Sequence, residues 1–109
     1  MMSKLLKIRD ALNEIDGLKV YHYWRPRLQA PFCVWQEEGE GDSTWSDNHK
    51  KEQVITGTID YFTLTEYDPM VDAIQNQLNS IEVLGWELDS VMYEDETNLI
   101  HYSWNWEIA

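Results

Sequence analysis

The segment from Glu37 to Asn48, "EEGEGDSTWSDN", concentrates side chains that can do chemistry. Carboxylate oxygens are ligands that divalent cations prefer, and Asp42, Asp47 and His49 could together hold one such ion. Calcium-binding loops, however, need oxygens at alternate positions closed by a glutamate, and this run lacks that register. We therefore expect no metal here, which leaves a catalytic loop or an arm that docks on a partner.

The other chemistry-bearing residues lack catalytic spacing. The histidines are dispersed, and two of them fall in predicted strands, where we expect structural roles: His22, His49 and His101. Cys33 lies between apolar residues, whereas a reactive thiolate needs an electropositive surrounding, so we predict a half-buried strand cysteine. No phosphate-binding loop, nucleophile elbow or dinucleotide motif is present, and no carboxylate pair is singled out for glycosidase chemistry. We predict neither enzymatic activity nor a cofactor.

The tryptophans are more informative, because six of them exceed what a core of this size normally contains: Trp24, Trp35, Trp45, Trp86, Trp104 and Trp106. Trp45 lies in the polar segment and is expected to be exposed. Exposed aromatic residues with acidic neighbours are typical of surfaces that meet other proteins. Flat rings beside carboxylates also suit sugars, so a monomeric small-ligand or carbohydrate-binding module is the alternative.

Two segments that position these residues have apolar side chains at helical spacing. The first is predicted to run from about residue 4 to residue 15, with Ser3 as its N-cap and Gly17 as its stop. The second starts at Asp68-Pro69, because aspartate accepts the free N–H groups of a first turn and proline suits its first position. Gly85 is predicted to end this helix.

Five further segments are predicted to be strands: "LKVYHYW" from Leu18, "FCVWQEE" from Phe32, "QVITGTIDYFTLTE" from Gln53, "WELDSVMYE" from Trp86 and "LIHYSWNWEI" from Leu99. Gly57 is a predicted bulge or point of close approach. Strict alternation in the last strand indicates a sheet covered on one side. The order α-β-β-β-α-β-β predicts one α+β domain, residues 1–109, whose antiparallel four- or five-stranded sheet has two helices packed on one face.

Charge is divided unevenly along the chain. The net charge is -12, yet residues 52–109 contain twelve acids and no lysine or arginine. Such a surface repels phosphate backbones, so nucleic-acid binding through counterion release is not expected. It suits a basic protein surface, or a passage through which a polyanion slides. No apolar run approaches the roughly 20 residues that span a bilayer, and we expect a soluble, unsecreted protein without a membrane partner.

The order of the segments along the chain is an amino-terminal helix, "APFCVWQEEGEGDSTWSDN", "QVITGTIDYFT", a helix after "EYDP" and "LGWELDSVMYEDETNLIHYSWNWEI". This order resembles that of the small tail terminator or tail-completion proteins of long-tailed bacteriophages and prophages. The resemblance covers nearly the whole chain. It implies a non-enzymatic subunit that forms a hexameric ring on the tail tube, ends tube growth and joins tail to head. Expected partners are further copies, the tail-tube protein and the head-completion protein, with DNA passing through without specific binding.

The resemblance also implies roles for particular residues and a location. The segment after the second predicted strand would be a partner-binding loop containing Glu38, Glu40, Asp42, Trp45 and Asp47. Residues of the second, third and last predicted strands would contribute to a subunit interface, namely Trp35, Tyr61 and His101. The protein would reside in the virion tail, after assembly in the cytoplasm of the bacterial host, with its unpaired acids partly on the lumen of the ring.

Overall fold

The computed structural model describes residues 2–25, 27, 29–41, 44–46 and 49–109, and it describes residues 44–46 and 49–51 by their backbone alone. The helices are a 3-10 helix at Met2–Leu5, α1 at Leu6–Asn13 and α2 at Pro69–Asn79. The strands are β1 at Val20–His22, β2 at Phe32–Glu40, β3 at Thr44–Ser46, β4 at His49–Glu52, β5 at Ile55–Thr63, β6 at Leu84–Glu94 and β7 at Leu99–Ile108. The molecule is elongated, with extents of 52 × 26 × 22 Å.

Five strands form one sheet in the order β1-β2-β5-β7-β6, so the α+β class and the two predicted helices are confirmed. The sheet is mixed rather than antiparallel, because β1 pairs with β2 in parallel while the other three pairs are antiparallel. A parallel pair needs a connection that returns the chain to the starting end of the sheet. Residues 23–31 provide this connection, where the sequence predicted a simple antiparallel step.

Strands β3 and β4 form a second, two-stranded sheet, which we call the ribbon. The sequence predicted a strand that ends at Glu38 and a loop from there to Asn48, and the loop prediction is wrong in two places. Strand β2 continues to Glu40 through a bulge between Glu37 and Gly39, and the ribbon then forms between residues 44 and 52.

The main core lies between the helices and one face of the five-stranded sheet. Ile8 and Leu12 of α1 meet Ile74 and Leu78 of α2, and all four side chains are fully buried. On the sheet side the same core contains the indole of Trp104 and other side chains of β2, β5 and β7. The 3.6-residue period of the helices and the twofold period of β7 therefore bury matching apolar surfaces.

We call the opposite side of this sheet the open face. It carries a smaller apolar cluster, formed by Phe32, Val34, Phe62 and Leu99. Arg25, in the connection between β1 and β2, places its guanidinium carbon 4.3 Å from the centre of the Phe62 ring. A cation over an aromatic face is attracted to it, so this contact holds the connection against the sheet.

Both helices differ from prediction at their ends. Ser3 lies in the 3-10 helix and is not an N-cap, because α1 begins after Leu5, which makes no capping side-chain bond. Asp68 does cap α2 as predicted, by accepting a hydrogen bond from the Met70 amide at 2.9 Å. This helix ends at Asn79, and Gly85 lies within β6. The helical apolar spacing continues to Ile81 because the turn after α2 also buries that side chain.

Gly57 is a point of close approach, as predicted. A Cβ atom there would lie 2.1 Å from the Gln36 carbonyl oxygen and 2.2 Å from Cζ2 of Trp106. The ring of Trp106 thus lies across the space that any larger residue would fill, on the strand next to Gly57.

Candidate functional site

The residues of the predicted partner-binding loop do not share one loop. Glu38 and Glu40 are exposed residues of β2, which remains paired with β5 through Gly39 and Glu40. The pairing ends where the Gly41 amide donates to the Val54 carbonyl at 2.9 Å. Trp45 belongs to β3, where the backbone alone is described, and Asp42 and Asp47 lie outside the described residues. The loop is therefore better defined as the end of β2 together with the ribbon.

The candidate metal ligands fall in the same part of the chain. Asp42 and Asp47 lie outside the described residues, and His49 begins β4 in the backbone-only part. Elsewhere in the described chain, no group of three or more histidine, cysteine, aspartate or glutamate side chains is arranged to hold a metal ion.

Two of the three residues predicted for a subunit interface are wrong. Trp35 is 3% exposed and Tyr61 1% exposed, and both side chains pack in the main core beneath the helices. A side chain that is already buried inside one subunit cannot contact a second one. The sequence pattern missed this because it gives the face of a strand but not whether that face is covered.

His101 lies on the open face and is partly exposed. Its Nε2 is 2.7 Å from Oδ1 of Asp60, and its ring stacks on Phe62 with the ring centres 4.2 Å apart. Glu94 lies 3.8 Å from His101 on one side and 3.7 Å from Arg25 on the other. These polar residues fasten the β1–β2 connection to three strands of the sheet, which is a structural role.

Asp68 is a half-buried carboxylate, a kind of group that can serve acid–base chemistry. Its Oδ2 accepts hydrogen bonds from Tyr61 and Thr63, each at 2.7 Å, while Oδ1 caps α2. Burial alone would raise the pKa of this carboxyl, but the hydrogen bonds from Tyr61, Met70 and Thr63 together lower it. Burial and the bond to Asp68 raise the pKa of the Tyr61 phenol. The Asp68 carboxyl is thus kept ionised and the Tyr61 phenol is kept neutral, which are their ordinary charge states. This arrangement is typical of a structural cluster.

Cys33 is fully buried, where the sequence predicted half burial. Burial, reinforced by the nearby charge of Asp60, strongly raises the pKa of this thiol. A nucleophilic cysteine needs the opposite environment. Cys33 is therefore a core side chain.

A groove of about 540 Å³ opens on the surface between the ends of β2, β5, β7 and β6. Its lining includes three carboxylates and two indoles, from Glu38, Glu87, Glu107, Trp86 and Trp106. The indole N–H of Trp86 donates to Asn79 at 3.0 Å, whereas that of Trp106 is buried with no hydrogen-bond partner. The groove is acidic and wide.

The outer edge of β6 is the most unusual surface of the molecule. Within the described chain, β6 pairs with β7 alone, so the backbone groups along its other side face outward. Four large apolar side chains of β6 are between 44% and 60% exposed: Leu88, Val91, Met92 and Tyr93. Natural edge strands of this length are usually blunted by lysine, proline or a covering segment. Strand β6 contains a bulge at Asp89 but no lysine or proline.

Sequence reasoning missed this edge, although a signal was present. Apolar residues of β6 fall on both faces of the strand: Leu88 is opposite Trp104 on the helix side, and Met92 is opposite His101 on the open face. Apolar residues on both faces depart from the alternation that is typical of a strand with one face in solvent.

The other edge of the sheet is β1, which is short and aromatic. His22 stacks between Tyr23 and Trp35, with ring centres 3.8 and 3.9 Å away, and its Nε2 is 2.8 Å from Glu37. Tyr23 and Trp24 are 56% and 63% exposed. This edge therefore also presents exposed apolar surface in the described part of the chain.

In the described residues, no helix is long and apolar enough to cross a membrane. Searches of protein-family models and of curated proteins find no match to this sequence. Function is therefore inferred from the surfaces described above and from the resemblance in sequence pattern.

Proposed function

We propose that this chain is a structural subunit of a phage or prophage tail that caps the tail tube as an oligomeric ring and joins the tail to the head. The observation that carries the proposal is the outer edge of β6, where a long strand is paired on one side only within the described residues and exposes four apolar side chains. Surfaces of this kind are typical of protein–protein contacts. The resemblance in sequence supplies the biological context.

The chemistry of the described side chains supports an assembly role over an enzymatic one. The strongest candidates for reactive groups are the Cys33 thiol and the Tyr61–Asp68 pair. Burial disfavours the thiolate of Cys33, and Tyr61 and Asp68 bond to each other inside the fold. None of them is both activated and accessible, as a catalytic group must be.

In this proposal the end of β2 and the ribbon are the arm that binds the tail-tube protein. The ribbon forms a sheet of its own, separate from the five-stranded sheet. Glu38 and Glu40 stand exposed at its base. Residues 38–52 contain five acids and two lysines, Lys50 and Lys51. The arm is therefore acidic overall and complements a basic patch on a partner, and charge complementarity of this type steers association.

The acids of the groove face the lumen of the ring in this proposal. Glu38, Glu87 and Glu107 line one groove, and all three are exposed. Carboxylates repel a phosphate backbone, so DNA would pass without adhering.

The test uses the full chain and its cognate tail-tube protein. Light scattering coupled to size exclusion, followed by negative-stain microscopy, should detect concentration-dependent rings. Added tube protein should co-elute with the chain or be capped by the rings. The proposal would be refuted if the chain remained monomeric at millimolar concentration and did not bind the tube protein.

A second candidate function, a small-ligand or carbohydrate-binding module, is favoured by the groove. Indole rings and carboxylates converge there at Trp86, Glu87 and Glu107, and such groups suit sugar recognition. Trp86 reports on this site, so titration of tryptophan fluorescence with a glycan panel is the test. The Trp86→Phe variant is the control, and a ligand response that this variant keeps would place binding elsewhere.

A further inference from the structure

The two edges of the five-stranded sheet differ in charge, and both expose apolar side chains, so their surfaces are complementary. Strand β6 carries Glu87, Asp89 and Glu94 and no lysine or arginine. The β1 edge, from Leu18 to Trp24, carries one lysine, Lys19, and no acid. Both edges present exposed apolar side chains, at Tyr23 and Trp24 on one and along β6 on the other.

We propose that the β6 edge of one copy binds the β1 edge of a second copy, so that the sheet continues from subunit to subunit. The proposal rests on the proposed function and names the contact through which the ring is built. A contact between two different surfaces of the same chain is head-to-tail, and it produces a closed ring when the rotation between copies closes.

Strand directions favour this pairing. Strand β1 runs with β2, β5 runs against β2, β7 runs against β5, and β6 runs against β7. The outermost strands β1 and β6 are therefore antiparallel. A rotation about an axis along the strands keeps these directions, so β6 meets the next copy's β1 in the antiparallel arrangement. Antiparallel ladders are the more stable kind and need no crossover between the strands.

Charge disfavours the simplest alternative, in which β6 pairs with β6 of a second copy about a twofold axis. That contact would bring the acids of both strands together, with no base in either strand. Like charges across paired strands are destabilising. Asp89, exposed at the bulge between Leu88 and Ser90, therefore disfavours a second β6 and favours an edge that carries Lys19.

The register of the sheet gives positions for a disulfide test. Tyr21 lies in the same row as Ser90, through Val34, Asp60 and Ser103. Opposite residues of antiparallel strands have Cα atoms roughly 4.5–5.5 Å apart, which suits a disulfide. Glu87 and Met92 lie on the same open face as Ser90, so they extend the test to neighbouring registers.

The experiment combines Tyr21→Cys with Glu87→Cys, Ser90→Cys or Met92→Cys, followed by mild oxidation of the assembled protein. At least one double variant should give a ladder of cross-linked multimers on a non-reducing gel. The corresponding single variants should remain monomeric on that gel, because a head-to-tail contact pairs two different positions. Circular dichroism checks that each variant is folded, and the native thiol of Cys33 is buried.

Each outcome separates this inference from the proposed function. Rings that give no ladder in any register overturn the edge contact and leave the tail function standing. Dimers formed by Ser90→Cys or Met92→Cys alone overturn it in favour of a twofold contact. A ladder without binding to the tail-tube protein supports the contact and refutes the tail function. A chain that never self-associates refutes both.

Charge exchange between exposed residues gives a second test that does not disturb packing. At about 10 mM salt, Asp89→Lys should weaken self-association by roughly three- to tenfold, and adding Lys19→Asp, about 10 Å away along the strand in this register, should restore part of that loss. Asp72→Lys, on the exposed side of α2, is the matched control and should leave self-association unchanged. Equal weakening by Asp72→Lys, or no recovery in the double variant, would contradict the contact.

Discussion

The carboxylate of Asp68 begins α2 and at the same time anchors two side chains of β5. Replacing it with alanine removes the helix cap and leaves the hydroxyls of Tyr61 and Thr63 without their acceptor. We expect Asp68→Ala to lower the free energy of unfolding by about 2–4 kcal/mol, measured by urea denaturation. Asp72→Ala, in the exposed first turn of the same helix, should cost less than about 1 kcal/mol.

The same carboxylate predicts a pH dependence. The pKa of Asp68 is lowered from its ordinary value of 3.8 in the folded chain, so ionisation of Asp68 stabilises the fold above that value. This stabilisation is lost as the pH falls through the lower, folded pKa. Asp68→Asn keeps a capping side chain but removes the charge. The stability difference between wild type and Asp68→Asn should therefore be constant above about pH 5 and shrink below it, and a difference that grows on acidification would contradict this.

Two glycines of neighbouring strands provide a matched pair. A Cβ atom at Gly57 would collide with a backbone oxygen and with the ring of Trp106, whereas one at Gly39 would meet nothing within 4 Å. We expect Gly57→Ala to destabilise the protein by about 3 kcal/mol and to shift near-ultraviolet tryptophan signals. Gly39→Ala should change stability by less than about 1 kcal/mol. Similar effects at both positions would exclude the steric explanation.

The ribbon is a separate element of the fold, so it can be removed without changing the five-stranded sheet. Gly41 and Val54 are joined by a backbone hydrogen bond, so residues 42–53 can be replaced by an Asn-Gly turn that closes a β2–β5 hairpin. We expect this variant to keep the wild-type melting temperature within a few degrees and to lose binding to tail-tube protein in pull-down assays. As a control, a Gly-Ser segment of the original length should also lose binding. Unchanged binding in either variant would show that the ribbon is not the arm.

Elements with strong local signals were predictable, as α2 and β7 illustrate. The start of α2 was predictable because aspartate caps a helix and proline suits its first position. The strict alternation of β7 predicted its limits and its two faces. The end of α2 was missed because Ser80 donates a hydrogen bond to the Gln77 carbonyl, and the chain turns while its apolar period continues. The direction of β1 depends on a long-range pairing with β2, which no local pattern contains.

At the scale of the whole molecule, the uneven charge leads to a prediction about DNA. The wild-type chain should not retard duplex DNA in a gel at about 10 mM salt, where charges act over roughly 30 Å. Replacing Glu38, Glu87 and Glu107 with lysine turns the groove basic and should produce retardation that 0.2 M salt abolishes. Retardation by the wild-type chain would show that the acids do not control passage of DNA.

The candidate site was only partly predictable, because the exposure of a side chain is decided by the folding of the whole molecule. Trp35 and Tyr61 have the composition of an interface, but the helices cover them. Strand β6 has apolar residues on both faces, but the sequence does not reveal that β6 is the outermost strand. Exposure depends on strand order, and strand order is decided by the packing of the complete chain.

The buried thiol of Cys33 is a native probe of how often the core opens. A side chain with no accessible surface can react with an alkylating reagent only after the surrounding strands separate. The rate of mass increase in native buffer, compared with that of the denatured chain, therefore measures how often the core opens. The same measurement on free and assembled protein would show whether neighbouring subunits slow that opening, without any added label or fluorophore.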